Sequence, residues 1–256
     1  MRANRLKQIW SEGRGALNGW CSIGDAFTAE IMARQGWDAV TIDTQHGLIG
    51  YAEMMAMLQA IGNTEAVPIV RVAWNVPGEI MRALDAGAYG IICPMINDRA
   101  EAEAFVGACR YPPDGYRSFG PARASLYGGV DDAEHANAEM LAFAMIETGR
   151  GLANVEEIAA TPGLSGIYIG PADLSLALGG LPTQDSDDPM RLEAFDRILA
   201  ACRKAGIRAG VHTNSAAYSQ TMLARGFDLV TVGSDMRYLA GGRRDLAAMR
   251  EWQAKR

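Results

Sequence analysis

Two acidic residues, Glu147 and Asp173, stand where short apolar runs stop. Glu147 closes Leu141-Ala-Phe-Ala-Met-Ile-Glu147, and Asp173 follows Gly166-Ile-Tyr-Ile-Gly-Pro-Ala-Asp173. Both runs read as buried strands ended by turn chemistry. Carboxylates at the ends of successive parallel strands lie close in space, and oxygen ligands of this kind hold hard divalent cations. A third run, Asp38-Ala-Val-Thr-Ile-Asp43, opens into Asp43-Thr-Gln-His46-Gly47, so a carboxylate and an imidazole share one tight turn. Arg71 lies near the end of a fourth run, Pro68-Ile-Val-Arg71-Val72. Metal ligands and a candidate general base therefore converge.

Parallel strands alternating with helices would position these groups. Strand-like segments fall at residues 17–22, 39–43, 68–72, 90–93, 142–147, 166–170, 209–212 and 229–232. Helix-like segments fall at 26–35, 51–61, 78–86, 100–109, 152–160, 174–178, 190–205 and 215–224. Strand then helix, eight times, is the pattern of a closed α/β barrel, the (β/α)8 TIM barrel, over residues 1–256 as one domain. An open doubly wound sheet is the alternative, but the Gly-x-Gly match at Gly13 and Gly15 follows a helical segment and ends in Asn18, against the dinucleotide fingerprint.

Composition supports a folded enzyme. The chain has 256 residues, 49% of them hydrophobic and 21% charged, enough for a sizeable core. A net charge of −6 with no basic stripe argues against nucleic acid. No apolar stretch reaches the roughly 18 residues of a membrane span, and the N-terminus lacks a signal-peptide core, so the expected location is cytoplasmic. Cys21, Cys93, Cys109 and Cys202 are scattered and read as buried free thiols.

The connection at about 111–139 is long and rich in Gly, Pro and aromatics, which suggests a lid or binding loop. Arg117 and Arg123 could there meet a substrate carboxylate, or pair with Asp114 and Asp131 at the surface; His135, among acids, reads as solvated. Plainer roles are also open to the other groups. Asp173 could cap a helix beginning near Leu174, Glu147 could sit at the surface, Asp43 and His46 could make an Asx turn, and Arg71 a structural ion pair. All five positions nevertheless fall at the carboxyl ends of strands two, three, five and six, the rim where a barrel gathers its catalytic groups.

Absences narrow the chemistry. The three lysines, Lys7, Lys204 and Lys255, avoid the strand ends where a Schiff-base lysine belongs. There is no Gly-x-Ser-x-Gly elbow and no Walker A loop. What remains is a metal held by two carboxylates, a histidine oriented by an aspartate, and an arginine.

Five motifs, Val40-Thr-Ile-Asp43-Thr-Gln-His46-Gly47, Pro68-Ile-Val-Arg71-Val72, Gly115-Tyr-Arg-Ser-Phe-Gly-Pro-Ala-Arg123-Ala124, Met145-Ile-Glu147-Thr148 and Gly170-Pro-Ala-Asp173-Leu-Ser175, in this order, resemble the HpcH/HpaI aldolase family of class II pyruvate-dependent aldolases. The resemblance spans nearly the whole chain. It implies a barrel of the phosphoenolpyruvate/pyruvate-domain type, a divalent cation (Mg, Mn or Co), and a homo-oligomer, often a hexamer built as a trimer of dimers that exchange the last helix. It also implies Glu147 and Asp173 as metal ligands, His46 as base, Asp43 as its orienting partner and Arg71 as stabiliser of an enolate. One departure is Gln45, where the family turn more often carries Glu.

The expected reaction is reversible aldol joining or cleavage of a 2-oxo acid, pyruvate or hydroxypyruvate, and an aldehyde through a metal-bound enolate. Backbone amides of Ala172 and Asp173 are expected to help bind the substrate carboxylate. His212, ending Ala209-Gly-Val-His212, points to the same rim and favours hydroxylated or oxidised acceptors; otherwise it is a structural histidine bonded to Asn214 or nearby backbone. Alternatives are a related lyase of citryl- or malyl-type thioesters, a decarboxylase, and a non-catalytic 2-oxo-acid-binding barrel.

Overall fold

The computed structural model describes residues 1–255. Eight strands, β1 (Ala16–Cys21), β2 (Ala39–Asp43), β3 (Val67–Arg71), β4 (Gly90–Cys93), β5 (Leu141–Ile146), β6 (Gly166–Ile169), β7 (Arg208–His212) and β8 (Leu229–Ser234), close into one barrel in chain order. Neighbouring strands are parallel throughout, including the closing β1–β8 pair. The sequence reading is displaced by at most two residues at any strand end. Apolar runs locate these strands because side chains are buried on both faces, between the barrel interior and the outer helices.

The barrel interior carries a polar layer. Tyr168 and Asn18 both reach the Thr231 hydroxyl, at 2.6 Å and 2.8 Å, and Thr41 bonds Asn18. Every member has a partner, which is the condition for burying hydroxyls and amides at modest cost. This layer forms the floor beneath the strands' carboxyl ends. The opposite mouth is covered by the helix Arg5–Ser11, whose Leu6, Ile9 and Trp10 are buried and whose Trp10 indole donates to the Asp228 carbonyl at 2.8 Å.

The long connection differs from the lid expectation. It holds two short helices, Ala124–Gly128 and Asp132–Glu139, and packs at the amino-terminal mouth of the barrel. Arg117 pairs with Asp85 at 2.7 Å, and Arg123 donates to the carbonyls of Ala86 (2.7 Å) and Leu58 (3.1 Å), all on segments that lead into strands. The reason is connectivity: the helix Arg99–Cys109 intervenes after β4, so the segment is a helix-to-strand connection and returns to the opposite end. Neither arginine pairs with Asp114 or Asp131; Asp131 instead takes the Met1 amine. His135 is exposed beside Asp131 and Glu134.

At the carboxyl-terminal side, the helix after β6 begins at Pro171, three residues before the sequence estimate, because proline suits the first helical turn. The chain ends in helices Asp235–Ala240 and Arg243–Ala254, which lay outside the predicted elements; the second buries none of its residues. Among the described residues no helix is long and apolar enough to cross a membrane.

Candidate active site

The carboxyl ends of the strands surround a cleft of about 220 Å³ whose wall includes Trp20, His46, Arg71, Asp173 and His212. Asp43 and Arg71 end β2 and β3 and are register partners. Side by side, they form a two-pronged ion pair, Arg71 Nε to Asp43 Oδ1 at 2.8 Å and Nη2 to Oδ2 at 2.6 Å. Both are buried, and the guanidinium lies 4.9 Å from the Trp20 ring centroid. Burial alone would raise the Asp43 pKa, but the Arg71 hydrogen bonds and charge outweigh it and hold the carboxyl below its usual value. The third prong, Nη1, meets only the Met145 sulfur at 4.0 Å and so remains available to a ligand.

Asp43 does not orient the His46 ring. Its carboxylate accepts the backbone N–H groups of Gln45 (3.1 Å) and His46 (3.3 Å), the Asx turn seen in the sequence, while its main partner is Arg71. The physical reason is direction: the last residue of β2 points into the barrel, whereas His46, three residues on, stands exposed on the rim. Among the described residues the imidazole has no hydrogen-bond partner. It is free to meet a substrate.

Glu147 follows β5 directly and is 3% exposed. Its Oε1 accepts the N–H of Met95, a residue with a left-handed φ of 58°, at 2.8 Å. A side chain at position 170 would come within 2.5 Å of Glu147 Oε2, so glycine there keeps room for the carboxylate. Burial, reinforced by the Asp173 charge, lifts the Glu147 pKa to about 7 against the pull of Met95 and Arg71. Asp173 lies in the first turn of the helix Pro171–Ala177; Gly170 occupies the cap position, so Asp173 is not the cap. Its carboxylate is exposed toward the cleft, beside Ala172 and Pro171.

No group of three or more His, Cys, Asp or Glu side chains suited to a metal occurs among the described residues. Two carboxylates are nevertheless a fitting donor set for a small hard cation that keeps several waters and takes its remaining ligands from substrate. The burial of Glu147, only partly offset by the Met95 N–H and the Arg71 charge, points the same way, since a cation would offset the rest. The residues present fit the group.

His212 ends β7 and meets the Trp20 ring edge-on at a centroid distance of 4.7 Å. Its Nδ1 lies 3.4 Å from the Tyr168 hydroxyl, not against Asn214, whose N–H goes to Asp185. Burial first, then the Arg71 charge, push its pKa down to about 4, so the ring is neutral near pH 7. It is at once packed into the floor and part of the cleft wall. Arg123, at the other end of the barrel, is not part of this chain's cleft. Sequence reasoning missed Trp20, Met95 and Gln184; of these only Trp20 carried a signal, an aromatic near the end of a predicted strand.

Residues 19–241 match the family model described as HpcH/HpaI aldolase/citrate lyase. The chain belongs to the HpcH/HpaI family. It is 42% identical over 245 residues, 96% of this chain and 98% of the other, to a hydroxypyruvate/pyruvate aldolase of Rhizorhabdus wittichii. It is 34% identical to a 4-hydroxy-2-oxo-heptane-1,7-dioate aldolase of Salmonella dublin over 96% of this chain and 94% of the other. A solved HpcH/HpaI family structure from Burkholderia cenocepacia superposes with a TM-score of 0.88 at 34% identity, covering 98% of this chain and 100% of that one. As a member of the HpcH/HpaI family the chain is an aldolase, a carbon–carbon lyase.

The raised Glu147 pKa carries a stability consequence for this family member without metal. The folded state holds the Glu147 proton more tightly than the unfolded chain does. That advantage is full below about pH 4.5 and is lost as pH rises through about 7. Glu147→Gln should therefore raise the stability of the chelator-treated protein at pH 8, by roughly 2 to 3 kcal/mol, and change it little at pH 4.5. Denaturant midpoints at the two pH values test this; equal gains at both would show that the carboxylate is not strained by burial.

Proposed function

We propose that the chain reversibly joins and splits a 2-oxo acid, pyruvate or hydroxypyruvate, and an aldehyde, as a class II aldolase using a divalent cation, Mg, Mn or Co. The observation that carries this reading is a buried, cation-deficient carboxylate, Glu147, beside the cleft wall that bears Arg71, with Asp173 and an unpartnered imidazole at the same rim. Glu147 and Asp173 would hold the cation, which as a Lewis acid supplies polarisation of the 2-oxo group.

The chain's own residues do the rest. Asp43 holds two prongs of the Arg71 fork, leaving Nη1 to meet the oxygen on which negative charge grows as pyruvate becomes its enolate. Donors fixed before reaction need no reorganisation when the charge appears. His46 takes a proton from the carbon next to the keto group in the synthetic direction and returns it on cleavage. Its lack of a protein partner suits that exchange. The backbone of Ala172 and Asp173 lies at the cleft wall, where it can receive the substrate carboxylate.

His46→Ala should abolish exchange of the pyruvate methyl protons with deuterated water, measured by NMR, while cation binding measured by calorimetry persists. Exchange at the wild-type rate in this variant would place the base elsewhere.

A further inference from the structure

The two ends of the Asn18 amide, buried in the floor of the cleft, have different surroundings. One end lies 3.2 Å from the carbonyl oxygens of both Ala39 and Gly19. Carbonyls only accept, so that end is the NH2 group. The other end, the oxygen, then lies 2.8 Å from the Thr231 hydroxyl, and an amide oxygen also only accepts. Thr231 therefore directs its single hydrogen to Asn18.

The consequence passes along the floor. With its hydrogen committed, Thr231 can only accept from the Tyr168 hydroxyl 2.6 Å away, so Tyr168 donates. Burial raises the Tyr168 pKa, and the hydroxyl keeps that hydrogen. The Tyr168 oxygen in turn can only accept from His212 Nδ1, 3.4 Å away. A neutral imidazole carries one N–H, and the bond to Tyr168 places it on Nδ1. Burial and the Arg71 charge oppose a second proton on the ring. Nε2 is left with a bare lone pair. It has no partner among the described residues, is not sealed from solvent, and belongs to a ring that lines the cleft.

We infer that Asn18, Thr231 and Tyr168 are positioning residues that hold His212 in its Nδ1–H tautomer, so that Nε2 binds the hydroxyl of the aldol as a hydrogen-bond acceptor. The inference rests on the aldol reading above and deepens it. The carboxylate and keto oxygens of the 2-oxo acid and the carbonyl oxygen of the aldehyde only accept. The donor common to every aldol is the hydroxyl left on the former aldehyde carbon once the carbon–carbon bond has formed. A ring with its proton on Nε2 would bind the aldehyde oxygen; the locked ring binds the aldol. His212 thereby distinguishes the joined molecule from its two parts, whatever chain the aldehyde carries.

Nitrogen NMR of the isotope-labelled, unliganded protein near neutral pH should show His212 with hydrogen on Nδ1 and none on Nε2. Thr231→Val frees the Tyr168 hydrogen to turn toward Nδ1, and the ring proton should move to Nε2. Tyr168→Phe removes the acceptor at Nδ1 and should release the proton likewise. Nε2–H in the wild type overturns the inference, as does a ring that stays Nδ1–H in either folded variant. In the metal-supplied enzyme, His212→Leu should raise the KM for cleavage of 4-hydroxy-2-oxopentanoate roughly tenfold relative to the inhibition constant of 2-oxopentanoate, which lacks the hydroxyl. An unchanged ratio overturns the hydroxyl contact and leaves the aldol reading standing. Wild-type protein that neither exchanges pyruvate protons nor cleaves any aldol overturns the aldol reading and the hydroxyl contact with it, while the NMR measurement still decides the tautomer.

Discussion

Arg71→Ala should lower kcat by roughly 10²- to 10³-fold, the loss seen when one preorganised donor to a developing oxyanion is removed. Lysine at the same position should recover only part of it, because an ammonium cannot fill two prongs toward Asp43 and offer a third to substrate. The substitution also has a folding effect. Asp43 is 2% exposed, and stripping its partner leaves an unpaired buried charge, a change costing about 3 to 5 kcal/mol. Asp43→Asn introduced on top of Arg71→Ala should restore most of that stability and none of the rate. Denaturant midpoints and kcat measured on the same samples separate the two roles. If stability and rate recover together, Arg71 acts on the fold and not on the transition state.

Removing divalent cations should abolish aldol cleavage, and adding Mg, Mn or Co should restore it. The expectation rests on Glu147 and Asp173 as an all-oxygen pair and on the positions of the lysines. Lys7 lies on the helix over the amino-terminal mouth, Lys204 on the helix Pro189–Ala205 and Lys255 just after the last helix, none of them at the carboxyl end of a strand. Borohydride added with pyruvate should therefore leave the protein mass unchanged, whereas a trapped adduct would show covalent amine catalysis. Cation binding needs Glu147 ionised, and its pKa is about 7. Apparent cation affinity should accordingly fall about tenfold for each pH unit below that value. Calorimetric titration from pH 5 to 8 measures this, and a flat profile would detach Glu147 from the cation.

The barrel and most of its rim were legible in the sequence because strands buried on both faces appear as uninterrupted apolar runs. Glu147, Asp173, Asp43 and Arg71 could be read as strand-end residues for that reason. Their partners could not. That Asp43 grips Arg71 and not the His46 ring depends on register between β2 and β3, which no local pattern encodes. Arg123 was misplaced by a rule about loop length that ignored direction; the helix Arg99–Cys109 standing before the loop was the clue that it returns to the far mouth. Gln184 carried no signal at all, since its position is set by Asp185 and Arg191 bonding to segments distant in the chain.

The pairing of Asp43 with Arg71 across β2 and β3 also bears on how the gene can change length. Side chains alternate between the two faces of a strand, so one codon gained or lost inside Val67–Arg71 would turn the guanidinium from the barrel interior toward the helices. Such an in-frame change would turn the guanidinium out of the cleft even with Arg71 itself still encoded. Codons added within 111–139 would lengthen a segment on the opposite mouth and leave the register of the rim untouched. Length variation can therefore accumulate at one end of this barrel while the other keeps its count.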